Sequence, residues 1–153
     1  PLPPPAPVPP LEPRDLAARH LLQTQARLAA LTPADLAAEI ARAKPETPQA
    51  SVDLALALAI ERGPGDLARA QALLEPLVKD EGEAAQPWRA LARWLAARIA
   101  DQRRSDDQIE RLNQQLRDTQ RRLDQANDKL AALKAIERSL VTRPGTAASR
   151  PGQ

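Results

Sequence analysis

The chain has 153 residues, a length that suits one domain with room for an extension. It contains no cysteine and one histidine, which excludes disulfides and Cys-ligated metals and argues against a His-based catalytic triad. Its 22 basic and 20 acidic residues give a formal net charge of +2, too balanced for a chain that binds polyanions along its whole length. We therefore expect a protein that is not an enzyme and that carries no cofactor and no metal.

Proline occupies eight of the first thirteen positions. Because proline lacks an N–H and disfavours helix in the residue before it, residues 1–13 are predicted to form a disordered tether of polyproline II type. The tether would act either as a ligand for an SH3-like domain or as a spacer. We favour the spacer, which would reach roughly 40 Å at about 3.1 Å per residue. Residues 143–153 are rich in Pro, Gly, Ser and Ala and are predicted to be a disordered tail.

Residues 14–100 are predicted to form a helical bundle, and no run of alternating β-branched residues suggests a strand. The first helix is expected from about Arg14 to Leu31. Thr32–Pro33 and Thr47–Pro48 each combine a capping hydroxyl with a proline suited to the first helical position. These two pairs predict the starts of the second and third helices.

Gly63–Pro64–Gly65 is expected to end the third helix. Asp66 is then predicted to cap a fourth helix that extends to about Lys79. Pro76 lies inside that pattern, so we expect a kink or an early end there. Pro87 fits the first turn of a fifth helix.

The third and fourth helices, over residues 48–79, resemble one tetratricopeptide-like hairpin, a unit that presents a groove for peptides. Small side chains are expected where the two helices approach closely, at Ala59, Ala68, Ala70 and Ala72. The usual 34-residue period is not repeated, however. A small bundle that uses alanine for close contacts is the favoured interpretation, and the tetratricopeptide-like hairpin is the alternative.

Residues 101–142 are predicted to form a long amphipathic helix of coiled-coil type, although the polar stretch 101–108 could interrupt it. A heptad can be written from Ile109, with apolar residues at positions a and d. Thr119 and Ala126 occupy two of the d positions and weaken the pattern. We call the six strongest apolar positions the leucine seam: Ile109, Leu112, Leu116, Leu123, Leu130 and Leu133.

An apolar stripe of this kind must be covered. The Ala-rich helices of the same chain could cover it, and so could a second copy or a partner's helix. Because the two weak d positions disfavour a tight homodimer, we expect partial cover by the bundle and completion by a partner. The leucine seam is therefore the predicted partner-binding site.

Six arginines could suggest nucleic-acid binding, but acidic residues alternate with them and no aromatic residue follows Trp94. A solvated helix face is the better interpretation, with ion pairs expected for Asp107/Arg111 and Asp118/Arg122. His20 is expected to be a boundary residue. The arginines are Arg103, Arg104, Arg111, Arg117, Arg121 and Arg122.

Two segments resemble the QseG (YfhG-like) outer-membrane lipoproteins, which accompany the QseE/QseF two-component system. Residues 129–140, KLAALKAIERSL, resemble the end of those proteins. The run LALALA at residues 54–59 and DLARAQALLEPLV at residues 66–78 are similar to their middle part.

The resemblance implies a periplasmic accessory lipoprotein, held at the outer membrane, that contacts the sensor domain of a histidine kinase and modulates its signalling. It also implies a lipid-modified cysteine that would precede Pro1, with the Pro-rich arm as the tether. Two other functions compete with this one: a cytoplasmic tetratricopeptide-like or coiled-coil adaptor that self-associates, and a nucleic-acid-binding helical module.

Overall fold

The computed structural model describes residues 1–142, so the tail predicted for 143–153 lies outside the described residues. Within that range the fold is all-α, as predicted, and contains no strand. Residues 1–12 have no regular secondary structure and their side chains are exposed. The helices are α1 Pro13–Ala29, α2 Pro33–Arg42, α3 Pro48–Glu61, α4 Asp66–Lys79 and α5 Gln86–Thr142.

The two threonine caps predicted from the sequence are present. The Thr32 hydroxyl accepts a hydrogen bond of 3.2 Å from the backbone N–H of Asp35, and the Thr47 hydroxyl accepts one of 3.1 Å from Ala50. Each bond satisfies an N–H that has no partner inside its helix. Pro33 and Pro48 occupy the first helical positions, as expected.

The turn between α3 and α4 differs from its prediction. Gly65, with φ of +80°, is the N-cap of α4, and Asp66 is already helical. The Asp66 carboxylate instead accepts a hydrogen bond of 2.8 Å from the backbone N–H of Gly63. A Cβ on Gly63 would lie 2.7 Å from that same carboxylate oxygen, so a larger residue here would displace the Asp66 side chain from this bond. The aspartate therefore closes the turn and does not cap the helix.

Helix α4 does not end early at Pro76 but continues to Lys79. Proline cannot donate to the carbonyl four residues earlier, which belongs to Ala72. Because Ala72 is exposed, water can bond that carbonyl in place of the missing N–H.

Helix α3 is the centre of the core and contacts α1, α2 and α4. Its residues 54–58 are all buried, as expected for a helix covered on several sides. The predicted close-contact alanines are only partly right, because Ala70 is fully buried whereas Ala68 and Ala72 are exposed. The alanines that are buried in the core are Ala17, Ala55, Ala57, Ala70, Ala85 and Ala92.

Helix α5 is continuous through residues 101–108, so the polar stretch does not interrupt it. The chain nevertheless divides into two compact units, Pro1–Ser105 and a second that begins at Asp106. In the first unit, α5 contributes Trp88, Leu95 and Ile99 to the core. Within the described part of the chain, no helix combines the length and apolar character needed to cross a membrane.

Candidate protein-binding surface

All six side chains of the leucine seam are more than half exposed. Their exposed fractions range from 52% at Leu123 to 71% at Leu116. More than half of each seam side chain is therefore left for contact with another surface. Monomeric proteins rarely expose a contiguous apolar patch of this kind unless it serves binding.

The apolar stripe continues beyond the six seam residues, to Leu140 at a predicted d position and to Ile136. Ile136 and Leu140 are also exposed, by 56% and 64%. They continue the stripe from Leu133 at spacings of three and four residues, the period of a straight helix. Ile136 falls outside the predicted seam because a strict heptad places it at position g and puts Glu137 at position a.

From Ile109 to Lys134 the acidic residues occur only on the face away from the seam, whereas basic residues lie both on that face and beside the seam. The heptad positions e and g, which border the seam, carry only neutral and basic residues from Asn113 to Lys134. The acidic residues of the same segment lie at positions b, c and f, away from the seam. The basic residues at the borders are Arg122, Lys129 and Lys134, and the acidic residues on the outer face are Glu110, Asp118, Asp124 and Asp128.

The ion pairs of the second unit lie on that outer face. Arg117 pairs with Glu110 at 3.0 Å, and Arg121 pairs with Asp118. The predicted pair between Asp118 and Arg122 is therefore wrong, because Arg121, three residues away, takes the carboxylate. Among residues 1–142, the basic side chains at the borders of the seam form no ion pair.

Two of the arginines nearer the bundle also have partners. Arg103 donates a hydrogen bond of 2.6 Å to Gln71 on α4, and Arg104 pairs with Asp101. These contacts fit the solvated, self-paired face expected from the sequence.

His20 belongs to a polar cluster inside the first unit. Its Nε2 lies 2.9 Å from both carboxylate oxygens of Asp53 and 3.2 Å from the hydroxyl of Thr24. In a catalytic triad the acid and the nucleophile bond different nitrogens of the histidine ring. Here the Asp53 carboxylate and the Thr24 hydroxyl both contact Nε2. The cluster therefore ties α1 to α3 and offers no relay for a proton.

A small cleft between α1, α2 and α3 contains the ion pair of Arg27 and Glu39, 2.7 Å apart. The hydrogen bond from Arg27 holds the pKa of the Glu39 carboxyl below its usual value. The cleft volume of about 160 Å³ is well below the 300–1,000 Å³ typical of small-molecule sites. The ion pair in this cleft connects α1 to α2.

Comparisons with known proteins give no relative: no family model, no curated protein and no solved structure matches the chain. Among the described residues, no three His, Asp or Glu side chains are grouped so that they could hold a metal ion. The surface with the clearest chemical capability is the leucine seam, which can pack against the apolar stripe of another helix.

Proposed function

We propose that this chain is a non-enzymatic accessory protein that binds another protein through the leucine seam. The observation that carries the proposal is the exposure of all six seam side chains along one stripe of α5. A heptad stripe is the surface that knobs-into-holes packing against a second helix requires.

The energetics support a helical partner with its own apolar stripe. Fully burying a leucine or isoleucine contributes about 1.5–3 kcal/mol, and each seam residue has roughly half of its surface left to bury. Association costs about 4–15 kcal/mol in lost freedom. The seam alone barely offsets this cost, so the partner has to bury a comparable stripe.

For the partner, we propose the periplasmic sensor domain of a two-component histidine kinase. The resemblance to the QseG-like lipoproteins motivates this choice, and its C-terminal part, residues 129–140, coincides with the exposed residues Leu130, Leu133 and Leu140. Docking would favour one signalling state of the kinase, because a ligand shifts a conformational equilibrium by its difference in affinity for the two states.

The same resemblance suggests how the protein is held in place. We propose an outer-membrane lipid anchor that precedes Pro1, with the Pro-rich arm as a spacer in the periplasm. Residues 1–12 are exposed and lack regular secondary structure, as a spacer would. Labelling cells with radioactive palmitate would test the anchor: incorporation into the full-length protein supports it, and absence of label contradicts it.

Site-specific crosslinking tests the binding surface directly, because the chain has no cysteine to interfere. Single cysteines at Leu116 and Leu123 would carry a photoactivatable benzophenone, as would control cysteines at Gln114 and Asp128 on the outer face. We expect the seam positions to crosslink to the purified sensor domain and the outer positions to stay unlinked. Equal crosslinking from both faces would contradict docking through the seam.

A second candidate function is that of a cytoplasmic adaptor that associates with itself. The observation that favours it is that a and d spacing is also the pattern of a homodimeric coiled coil. Sedimentation velocity over a range of concentrations distinguishes the two: a monomer throughout supports docking on a partner, whereas a concentration-dependent dimer supports the adaptor.

A further inference from the structure

The borders of the leucine seam give information about its partner that the seam itself does not. In coiled coils, side chains at positions e and g meet those of the facing helix and determine which helix is accepted. From Asn113 to Lys134, none of the e and g positions is acidic, and three of them carry basic residues, Arg122, Lys129 and Lys134. These three basic groups form no ion pair within residues 1–142.

We propose that the helix that covers the leucine seam carries Glu or Asp residues along both edges of its own apolar stripe. This inference rests on the proposed function and specifies the chemistry of the partner. Carboxylates at those edges would pair with the three basic groups as the seam closes, and a partner with basic edges would be rejected by repulsion.

The distribution of the chain's own acids supports this choice. If the basic residues at the seam borders served only to keep the protein soluble, acidic residues could lie beside them and pair with them, as they do on the outer face. There, Glu110 and Asp118 pair with Arg117 and Arg121. The borders of the seam remain basic and unpaired, which is the arrangement that an acidic partner completes.

A second copy of this chain fits the borders less well. In a parallel, in-register pair, Lys129 at g would face Lys134 at e of the copy, and Glu137 at a would meet its counterpart inside the interface. In an antiparallel pair, Leu123 of one copy could pack against Thr119 of the other. That register, however, places Arg122 opposite Arg122 of the second copy. Neither arrangement satisfies all three basic groups.

An anionic lipid surface is the other rival, because basic residues beside an apolar stripe also occur on membrane-surface helices. Such helices have a broad apolar face and a polar face rich in Lys and Arg. The outer face of this segment is instead of mixed charge, with Glu110, Asp118, Asp124 and Asp128 beside Arg111, Arg117 and Arg121, and a bilayer leaves that face in water without using it. The narrow stripe and the mixed charge of the outer face favour a protein partner.

Three designed peptides of four heptads test the inference with the full chain. All have Leu at positions a and d, and they differ only in having Glu, Gln or Lys at e and g. Titration calorimetry in low salt should give the tightest binding for the Glu peptide and the weakest for the Lys peptide, with a difference of at least about tenfold. High salt should reduce that difference, because it screens the edge charges.

A matched pair of variants separates edge charge from total charge. The border variant combines Arg122→Glu, Lys129→Glu and Lys134→Glu, and should reverse the order so that the Lys peptide binds best. The control combines Arg111→Glu, Arg121→Glu and Arg138→Glu on the outer face, which changes the net charge by the same amount. It should keep the original order.

The outcomes distinguish this inference from the proposed function. If all three peptides bind with equal affinity, or if the border variant and its control behave alike, the proposal of a partner helix with acidic edges is overturned. Docking through the seam is unaffected by that result. Failure of every peptide to bind overturns the proposed function, and this inference with it. A dimer of the chain alone in sedimentation, or binding to phosphatidylglycerol vesicles that the border variant abolishes, also overturns the acidic helix.

Discussion

The ring of His20 on α1 meets the indole of Trp88 on α5 edge to face, with centroids 5.6 Å apart and planes at 85°. Such pairs contribute about 0.5–1.5 kcal/mol beyond the area that they bury. The same histidine bonds Asp53 on α3. One boundary residue therefore connects three helices of the first unit.

The two tryptophans should differ sharply in their effect on stability. Trp88 is 9% exposed, whereas Trp94 is 56% exposed. We expect Trp88→Ala to lower the free energy of unfolding by about 3–5 kcal/mol because it leaves a cavity. Trp94→Ala should change it by about 0.5 kcal/mol or less. Urea titrations followed by circular dichroism measure both, and equal effects would contradict the position of α5 in the core.

The contact between His20 and Asp53 should have a measurable but modest effect. Removal of the carboxylate by Asp53→Ala leaves His20 without its partner on α3, and should cost about 0.5–1.5 kcal/mol. Asp128→Ala, on the outer face of α5, is the matched control and should cost less. If thermal unfolding shows no difference between the two variants, the cluster does not tie α1 to α3.

The pair of Arg27 and Glu39 predicts a dependence of stability on pH. The folded pKa of Glu39 is lowered, chiefly by the hydrogen bond from Arg27, so the carboxylate stabilises the fold above the usual pKa of glutamate. That contribution is lost as the pH falls through the lowered value. Because the pair is partly exposed, we expect about 0.2–1 kcal/mol at pH 7.

The measurement is the difference in unfolding free energy between the unmodified chain and Glu39→Gln, followed from pH 7 into the acid range. The difference should be largest at neutral pH and vanish in acid. Glu46→Gln, at an exposed residue before α3, serves as the matched control. If the difference in unfolding free energy instead grew as the pH fell, the lowered pKa of Glu39 would be contradicted.

Seam and core leucines should respond differently to the same substitution. Leu74→Ala removes a fully buried side chain and should cost about 2–5 kcal/mol. Leu116→Ala removes a side chain that is 71% exposed and should change stability by about 0.5 kcal/mol or less. Thermal melts of the chain alone test this, and a large loss for Leu116→Ala would mean that the seam is already covered in solution.

Local signals in the sequence predicted local structure well. The hydroxyl–proline pairs at Thr32 and Thr47 are caps because a cap depends only on residues within one turn. Asp66 was assigned wrongly because the same side chain can bond a helix N–H or the N–H of the preceding turn. Whether the Asp66 carboxylate bonds the N–H of Gly63 depends on backbone angles, including the positive φ of Arg62. The amino-acid composition does not reveal those angles.

Features that depend on how helices pack could not be predicted. Which alanines lie at the crossing of α3 and α4 depends on the rotation of each helix about its axis, so Ala70 is buried while Ala68 is not. His20 and Asp53 are 33 residues apart, and no periodicity links them. The leucine seam was found because its period lies within one helix, but Ile136 was missed because the strict heptad drifts from the true helical repeat.

The central claim, that the leucine seam is a docking surface, is tested most directly by a binding titration of matched variants. Leu116 and Leu22 are both 71% exposed and both lie in helices, but only Leu116 belongs to the seam. We expect Leu116→Glu to weaken binding to the kinase sensor domain by at least about tenfold, or 1.4 kcal/mol, and Leu22→Glu to leave it unchanged. Binding of Leu116→Glu as tight as that of the unmodified chain would contradict the claim.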